Sequence, residues 1–137
     1  MIKIHETAKI SPKSDIEDST RGSSIEIGAN STIDSFVKFK PAGGKGDIKI
    51  GDRVYINSCC VLYSGNGISI GNDVLISANC TLAPVNHEYT NRSKKISFQG
   101  QLRSFAYHVR CAILPLTAFL LFHMSPQDKI SLSYDVN

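Results

Sequence analysis

Large apolar residues recur along this chain at intervals of six. They form four groups of three, and the spacing resumes after each interruption: Ile4, Ile10 and Ile16; Ile27, Ile33 and Phe39; Ile50, Ile56 and Leu62; Ile70, Ile76 and Leu82. Four residues after most of them stands a small or β-branched residue: Ala8, Ser14, Thr20, Ser31, Val37, Val54, Cys60, Val74 and Cys80. An amphipathic helix needs apolar spacings of three and four, and a two-faced strand alternates, so neither period fits.

A period of six, grouped in threes, describes a chain that winds around a triangular prism with one short strand on each side. The large residue of each hexad points inward, and the small residue fits the tight corner. The spacing therefore predicts an all-β fold, a parallel β-helix in which each coil stacks on the coil before it.

The repeat has a longer order that locates insertions. Ile50–Ile56 and Ile70–Ile76 superimpose at a shift of twenty residues, so we expect them to stack about 4.8 Å apart, the spacing of hydrogen-bonded strands. Two surplus residues then follow Leu62, and a longer surplus, Pro41–Asp47, follows the third strand of the previous coil. Both insertions fall on one edge of the prism, which is how repeat proteins build a binding face. Gly43–Gly46 predicts a flexible insertion, since the phosphate-loop pattern Gly-x-x-x-x-Gly-Lys-Ser/Thr is not satisfied.

Composition and charge exclude several classes of function. The net charge of +3 over 137 residues is too small and too scattered for nucleic-acid binding. The N-terminus lacks the apolar run of a signal peptide, so we expect a cytoplasmic protein. The apolar run Cys111–Phe122 is too short for a membrane span, which needs about twenty residues. No Cys-x-x-Cys or His-x-x-x-His spacing suggests a metal site, and we expect Cys60 and Cys80 to be buried thiols.

Three hexads of this chain resemble those of the hexapeptide-repeat acyltransferases: Ile27–Thr32, Ile50–Tyr55 and Ile70–Leu75. The stretch Ile70–Tyr89, which ends in Leu-Ala-Pro-Val-Asn-His-Glu-Tyr, is similar to the region around the active-site histidine of that family. It most resembles the branch that O-acetylates sugars of capsules, lipopolysaccharide and related glycans, and the resemblance covers about the first hundred residues. It implies a left-handed parallel β-helix of hexapeptide repeats, acetyl-CoA as co-substrate, no metal, a sugar or glycan acceptor, and a homotrimer with active sites between subunits.

His87 follows a broken hexad, because after Leu82–Val85 the chain leaves the coil instead of turning the next corner. The resemblance implies that His87 is the catalytic base, which takes the proton from an acceptor hydroxyl as that hydroxyl attacks the thioester of acetyl-CoA. A sugar hydroxyl is a poor nucleophile at neutral pH, so it needs a base whose pKa lies near the ambient pH. The alternative is that His87 is an exposed loop residue without a catalytic role.

Four further residues are candidate contacts of the acceptor: Tyr63, Asn66, Asn86 and Arg92. In related sugar acetyltransferases the short insertion that carries Tyr63 and Asn66 touches the acceptor. Asn86 and Glu88 flank the histidine, and either could orient its ring. Arg92 could bind an acidic sugar or the phosphates of the coenzyme. Asn66 is equally well explained as a turn residue and Arg92 as a solvated charge. The sequence identifies no coenzyme-binding residue.

From Gln101 onward the spacing of six is not found. The sequence therefore divides into a β-helix domain, residues 1–100, with an acceptor or catalytic loop near 83–100, and an aperiodic tail, residues 101–137. Either the tail caps the unpaired strand edge at the end of the β-helix, or it is the product of a frameshift, since relatives continue with a Val-Trp-Ile-Gly hexad and this chain has no tryptophan. The two functions that stay open are a sugar O-acetyltransferase and a catalytically inactive, truncated remnant.

Overall fold

Short strands repeat in a fixed order along the chain, one on each of three sides. The computed structural model describes residues 1–102, 121–122 and 130–133. The first sheet contains β1 (Ile2–Ile4), β4 (Ile25–Ile27), β7 (Ile48–Ile50) and β10 (Ile68–Ile70). The second contains β2 (Lys9–Ile10), β5 (Thr32–Ile33), β8 (Tyr55–Ile56) and β11 (Leu75–Ile76). The third contains β3 (Asp15–Ile16), β6 (Lys38–Lys40), β9 (Val61–Tyr63) and β12 (Thr81–Leu82).

The strands of each sheet pair in parallel, and their register follows the six-residue spacing. On the first sheet the successive partners are Ile4, Ile27, Ile50 and Ile70. On the second they are Ile10, Ile33, Ile56 and Ile76, and on the third they are Ile16, Phe39, Leu62 and Leu82. Each predicted triplet is therefore one coil. The prediction of an all-β parallel β-helix is confirmed, while its left-handed sense remains an expectation from the resemblance.

The inward residues of the second, third and fourth coils form one continuous apolar core. The predicted corner residues of these coils are buried as well: Ser31, Val37, Val54, Cys60, Val74 and Cys80. Ser31 is accommodated because its hydroxyl donates to the Gly51 carbonyl at 2.8 Å and accepts from the Val54 amide at 3.0 Å. Cys60 and Cys80 are buried thiols, as predicted. The first coil is less covered, and its Ile4 is 43% exposed.

Two of the three corners are turned by single residues with left-handed backbone. One column consists of Asn30, Arg53 and Asp73, and the other of Phe36, Cys59 and Asn79, all with φ between 55° and 63°. This conformation is uncommon for residues other than glycine, and Asn and Asp tolerate it best. Because the second, third and fourth coils make the same two turns, their strands superpose.

The third corner, where the third sheet passes to the first sheet of the next coil, carries the insertions, and we call it the insertion edge. Segments 17–24, 41–47 and 64–67 lie there. The first of them was not predicted from the sequence, because Thr20 follows Ile16 by four residues, the spacing of a corner residue. Thr20 is in fact exposed, between β3 and β4.

After the fourth coil the described residues form four more short strands and a 3₁₀ turn: β13 (Asn86–His87), the turn Ile96–Phe98, β14 (Gln101–Leu102), β15 (Leu121–Phe122) and β16 (Ile130–Ser133). β16 pairs in parallel with β10, and β15 pairs antiparallel with β16, so both extend the first sheet. Residues 103–120, 123–129 and 134–137 of the predicted tail lie outside the described residues. Among the residues described, no helix has the length and apolar character that crossing a membrane requires.

Candidate functional site

His87 lies on a hairpin that leaves the insertion edge after the fourth coil. Residues 83–85 follow β12, and β13 then pairs antiparallel with β14, with His87 opposite Gln101 and Asn86 opposite Leu102. The amide of Glu88 donates to the carbonyl of Gly100 at 3.1 Å and extends the pairing. The backbone of the candidate base is therefore held by strand pairing at the foot of the hairpin.

The far part of the hairpin is held together by its own polar groups. The side-chain amide of Gln99 accepts from the Asn91 amide at 3.0 Å, and it donates to the carbonyls of Asn91 at 2.8 Å and Lys94 at 2.7 Å. Ser93 donates its amide to Asn91 Oδ1 at 3.0 Å. A side-chain amide with three bonds to the main chain replaces the strand ladder where the two arms separate.

Glu88 stabilises the turn directly after β13. Its Oε1 accepts hydrogen bonds from the Thr90 hydroxyl at 2.5 Å, the Thr90 amide at 2.9 Å and the Tyr89 amide at 3.0 Å. The Thr90 hydroxyl, followed by the two amides, lowers the pKa of Glu88 below its usual range, because all three donors favour the ionised carboxylate. The described contacts of Glu88 are thus with the loop itself.

An open cleft of about 290 Å³ lies along the insertion edge beside the hairpin. Its walls are Ala42 and Gly43 from the second-coil insertion, Tyr63 and Gly65 from the third coil, and residues 83–85 at the base of the hairpin. β13 begins at the next residue, so the strand that carries the candidate base adjoins the cleft. The phenol of Tyr63 is 40% exposed there.

Glycines allow the successive insertions to stack closely enough to form this wall. A Cβ atom at Gly44 would overlap the carbonyl oxygen of Gly65, and a Cβ at Gly46 would overlap the amide of Gly67. The amide of Gly46 donates to the Gly65 carbonyl at 3.0 Å. The interpretation of Gly43–Gly46 as a flexible insertion is therefore incomplete, because its glycines are needed for close packing between backbones.

Of the four candidate acceptor contacts, one lines this cleft and a second lies beside it. Tyr63 lines it, and Asn66 is half-buried beside it, with its Nδ2 donating to the carbonyl of Pro84 at 3.4 Å. Asn66 thus ties the third-coil insertion to the base of the hairpin. Asn86 lies on β13 next to the candidate base, whereas Arg92 is exposed farther along the hairpin and does not line the cleft. Their roles in binding stay predictions.

Sequence reasoning did not identify Ala42, Gly43, Pro84 and Val85 as cleft residues. Such small and apolar side chains carry no chemical signature, and only the stacking of the insertions assembles them. Among the described residues, no group of three His, Cys, Asp or Glu side chains is placed to hold a metal ion. Comparisons of the chain with protein-family models, with curated proteins and with solved structures gave no match.

Proposed function

We propose that this protein is an acetyl-CoA-dependent O-acetyltransferase that acts on a sugar hydroxyl of a surface glycan or its precursor. The observation that carries the proposal is the departure of the His87 strand from the insertion edge directly beside the cleft. It agrees with the resemblance of Ile70–Tyr89 to the active-site region of the hexapeptide-repeat acyltransferases. The repeat fold alone does not specify this chemistry, because one fold can support several functions.

In the proposed reaction, the neutral imidazole of His87 accepts the proton of the acceptor hydroxyl while the hydroxyl oxygen attacks the thioester carbonyl carbon. The tetrahedral intermediate then expels the coenzyme A thiolate, which takes the proton from the imidazolium and leaves an O-acetylated sugar. General-base assistance of this kind contributes about 10²–10⁴-fold to a rate. A backbone amide is the expected donor to the developing oxyanion.

We assign the cleft to the acceptor rather than to the coenzyme. Its volume of about 290 Å³ lies just below the range for small-molecule sites, about 300–1,000 Å³, and is too small for a whole coenzyme. The phenol of Tyr63 and the side chain of Asn66 supply the polar groups that orient a sugar, and Asn86 and Arg92 are proposed contacts from the hairpin. Acetyl-CoA would lie beyond the cleft.

A homotrimer is the assembly that we propose, with each site between two subunits. The hairpin exposes three large apolar side chains, Tyr89, Ile96 and Phe98, at 64%, 56% and 76%. Large apolar side chains exposed together on one short hairpin are typical of protein–protein interfaces. A neighbouring subunit that covered them would lie against the hairpin that carries His87.

A second candidate function is a catalytically inactive remnant that only folds or assembles. The observation that favours it is that the continuous prism of the described residues ends with the fourth coil, while no coenzyme-binding residue is identified. Relatives in the resembled family hold the pantetheine arm along coils that follow the histidine loop. The two candidates differ in one measurable property, which is the affinity for acetyl-CoA.

The test combines calorimetric titration of the full chain with acetyl-CoA and an assay of thiol release in the presence of candidate sugar acceptors. Replacement His87→Ala should lower kcat by about 10²–10⁴-fold and leave the melting temperature unchanged. His5→Ala is the matched control, since His5 is exposed on the first coil. Within the described residues its ring forms hydrogen bonds to Thr7 alone. Equal rates for the two variants would exclude His87 as the base. If the parent chain did not bind acetyl-CoA, the inactive remnant would be the function that stands.

A further inference from the structure

A strand from the predicted tail forms a fifth rung of the first sheet. β16 lies parallel to β10, with Ile130 opposite Ile68 and Leu132 opposite Ile70. The same parallel, unshifted register joins β10 to β7 on its other side. β16 is therefore placed as the corresponding strand of another coil would be.

The sequence of residues 130–137 repeats the sequence of the strand and corner on which β16 lies. Four of the eight residues are identical between 130–137 and 68–75, and Leu132 stands in place of Ile70. The two sequences are Ile-Ser-Leu-Ser-Tyr-Asp-Val-Asn and Ile-Ser-Ile-Gly-Asn-Asp-Val-Leu. Val136 follows Leu132 by four residues, which is the spacing from an inward residue to a corner residue in the coils. The alignment gives the same register as the strand pairing and continues beyond it.

We propose that β16 is the first strand of a fifth coil, and that the upper edge of β10 is its docking surface. The chain between β12 and β16 then begins at the insertion edge, as the shorter insertions 17–24, 41–47 and 64–67 do. The hairpin that carries His87 then lies, in chain order, between the fourth coil and β16. This inference goes beyond the proposed function and does not depend on it, and at residues 130–133 it replaces the expectation of an aperiodic tail or a frameshift.

The burial of the fourth coil supports this arrangement. Ile70 is 2% exposed, although it belongs to the last coil of the continuous prism, whereas Ile4 at the equivalent position of the first coil is 43% exposed. Within the described residues, the lower edge of β1 pairs with no strand, and the upper edge of β10 pairs with β16. The two ends of the first sheet thus differ as expected if only the upper end is continued by another coil.

The backbone hydrogen bonds of the lower coils predict which amide the fifth coil protects. Gly28 donates its amide to the Ile50 carbonyl at 2.9 Å, and Gly51 donates to the Ile70 carbonyl at 2.8 Å. In each case the residue after the first-sheet strand donates to the inward residue of the coil above. The same rule assigns the amide of Gly71 to the carbonyl of Leu132.

Amide hydrogen exchange of the full chain, followed by NMR, tests this assignment. In the parent chain the Gly71 amide should be protected like that of Gly51. Leu132→Asp should reduce the protection of Gly71 by about tenfold or more, because the strand opens locally without the rest of the prism. Ser131→Asp is the matched control, since Ser131 is in register with the partly exposed Ser69, and it should leave Gly71 protected.

Leu132→Ala serves as a milder variant if Leu132→Asp does not fold, and it should reduce the protection of Gly71 while that of Gly51 is kept. Val136→Asp should lower the melting temperature more than Asn137→Asp, because only the former aligns with a buried residue, Val74. An unprotected Gly71 amide in the parent chain, or equal effects of the substitutions at Leu132 and Ser131, would overturn the fifth coil. None of these measurements involves acetyl transfer, so they are decided separately from the proposed function.

Discussion

Ile56 lies at the centre of the core and allows a direct test of the register that defines the prism. It is 0% exposed and is paired with Ile33 on one side and Ile76 on the other. Its neighbour on β8, Tyr55, is on the outer face and is 40% exposed. Ile56→Asp and Tyr55→Asp therefore place the same group on the same strand but on opposite faces of it.

The expected cost of Ile56→Asp has two parts. Loss of the buried isoleucine side chain removes about 1.5–3 kcal/mol of apolar stabilisation. Burial raises the pKa of an unpaired carboxyl by up to about 3–5 units, and at pH 7 this costs about 4 kcal/mol, since each unit corresponds to about 1.4 kcal/mol. The sum of about 5.5–7 kcal/mol is comparable to the whole stability of a domain, about 5–15 kcal/mol.

The second part depends on pH, and its sign is fixed by the direction of the pKa shift. The introduced carboxyl has a folded-state pKa above its unfolded value of about 3.9, so at neutral pH the unfolded state binds fewer protons than the folded state. Stability therefore falls as the pH rises from about 4 toward the folded-state pKa. Relative to the parent chain, Ile56→Asp should be less destabilised at pH 4 than at pH 7.

Urea unfolding followed by circular dichroism at the two pH values measures both effects, because the midpoint reports stability when the slope is unchanged. Tyr55→Asp should lower the free energy of unfolding much less than Ile56→Asp does. Its destabilisation relative to the parent chain should not become comparably smaller at pH 4. If the two variants were equally tolerated, or if Tyr55→Asp were the more damaging, Ile56 would not point inward, and the six-residue register would be wrong.

Two further predictions concern the insertion edge and the hairpin. Gly44→Ala should lower the melting temperature by several degrees, because its Cβ would overlap the Gly65 carbonyl and overpacking typically costs about 1–3 kcal/mol. The control Lys45→Ala, at the adjacent and exposed residue, should have almost no effect. Equal melting temperatures for the two variants would contradict the close stacking of the insertions. Thr90→Val should raise the pKa of Glu88 in an NMR titration and Thr90→Ser should not, since the Thr90 hydroxyl is the largest cause of the lowered value. The pKa of Glu88 is depressed in the fold, so its contribution to loop order is present above the unfolded pKa and is lost as the pH falls through the folded one.

The coils could be predicted from the sequence because every coil repeats the same three inward positions. The conformation of the corners could not. Asn30 and Asp73 are residue types that adopt left-handed backbone readily, but Phe36 and Arg53 adopt it too. At those two positions the stacking of strands on either side imposes the turn, against the preference of the residue itself.

The insertion edge was predicted only in part, because its structure depends on contacts between residues far apart in the sequence. The glycines of segment 41–47 indicate backbone freedom, and the sequence alone does not distinguish a flexible loop from a backbone that packs against Gly65 and Gly67. β16 was missed for a related reason. Its resemblance to Ile68–Ile70 is separated from the other hexads by a long stretch without the period, so a search from one hexad to the next ends before reaching it.

The geometry of the coils explains why a functional site, whatever its chemistry, is expected on the insertion edge. In the second to fourth coils a single left-handed residue turns the chain at each of the other two corners, and the side chains of the coil are either packed in the core or lie on the outer faces of the sheets. Only the third corner varies in length, and there the stacked insertions form the cleft while Asn66 fixes the base of the His87 hairpin through the Pro84 carbonyl. Loss of acetyl transfer in Tyr63→Ala or Asn66→Ala, with transfer kept in His87→Ala, would therefore change the identity of the base and leave the location of the site in place.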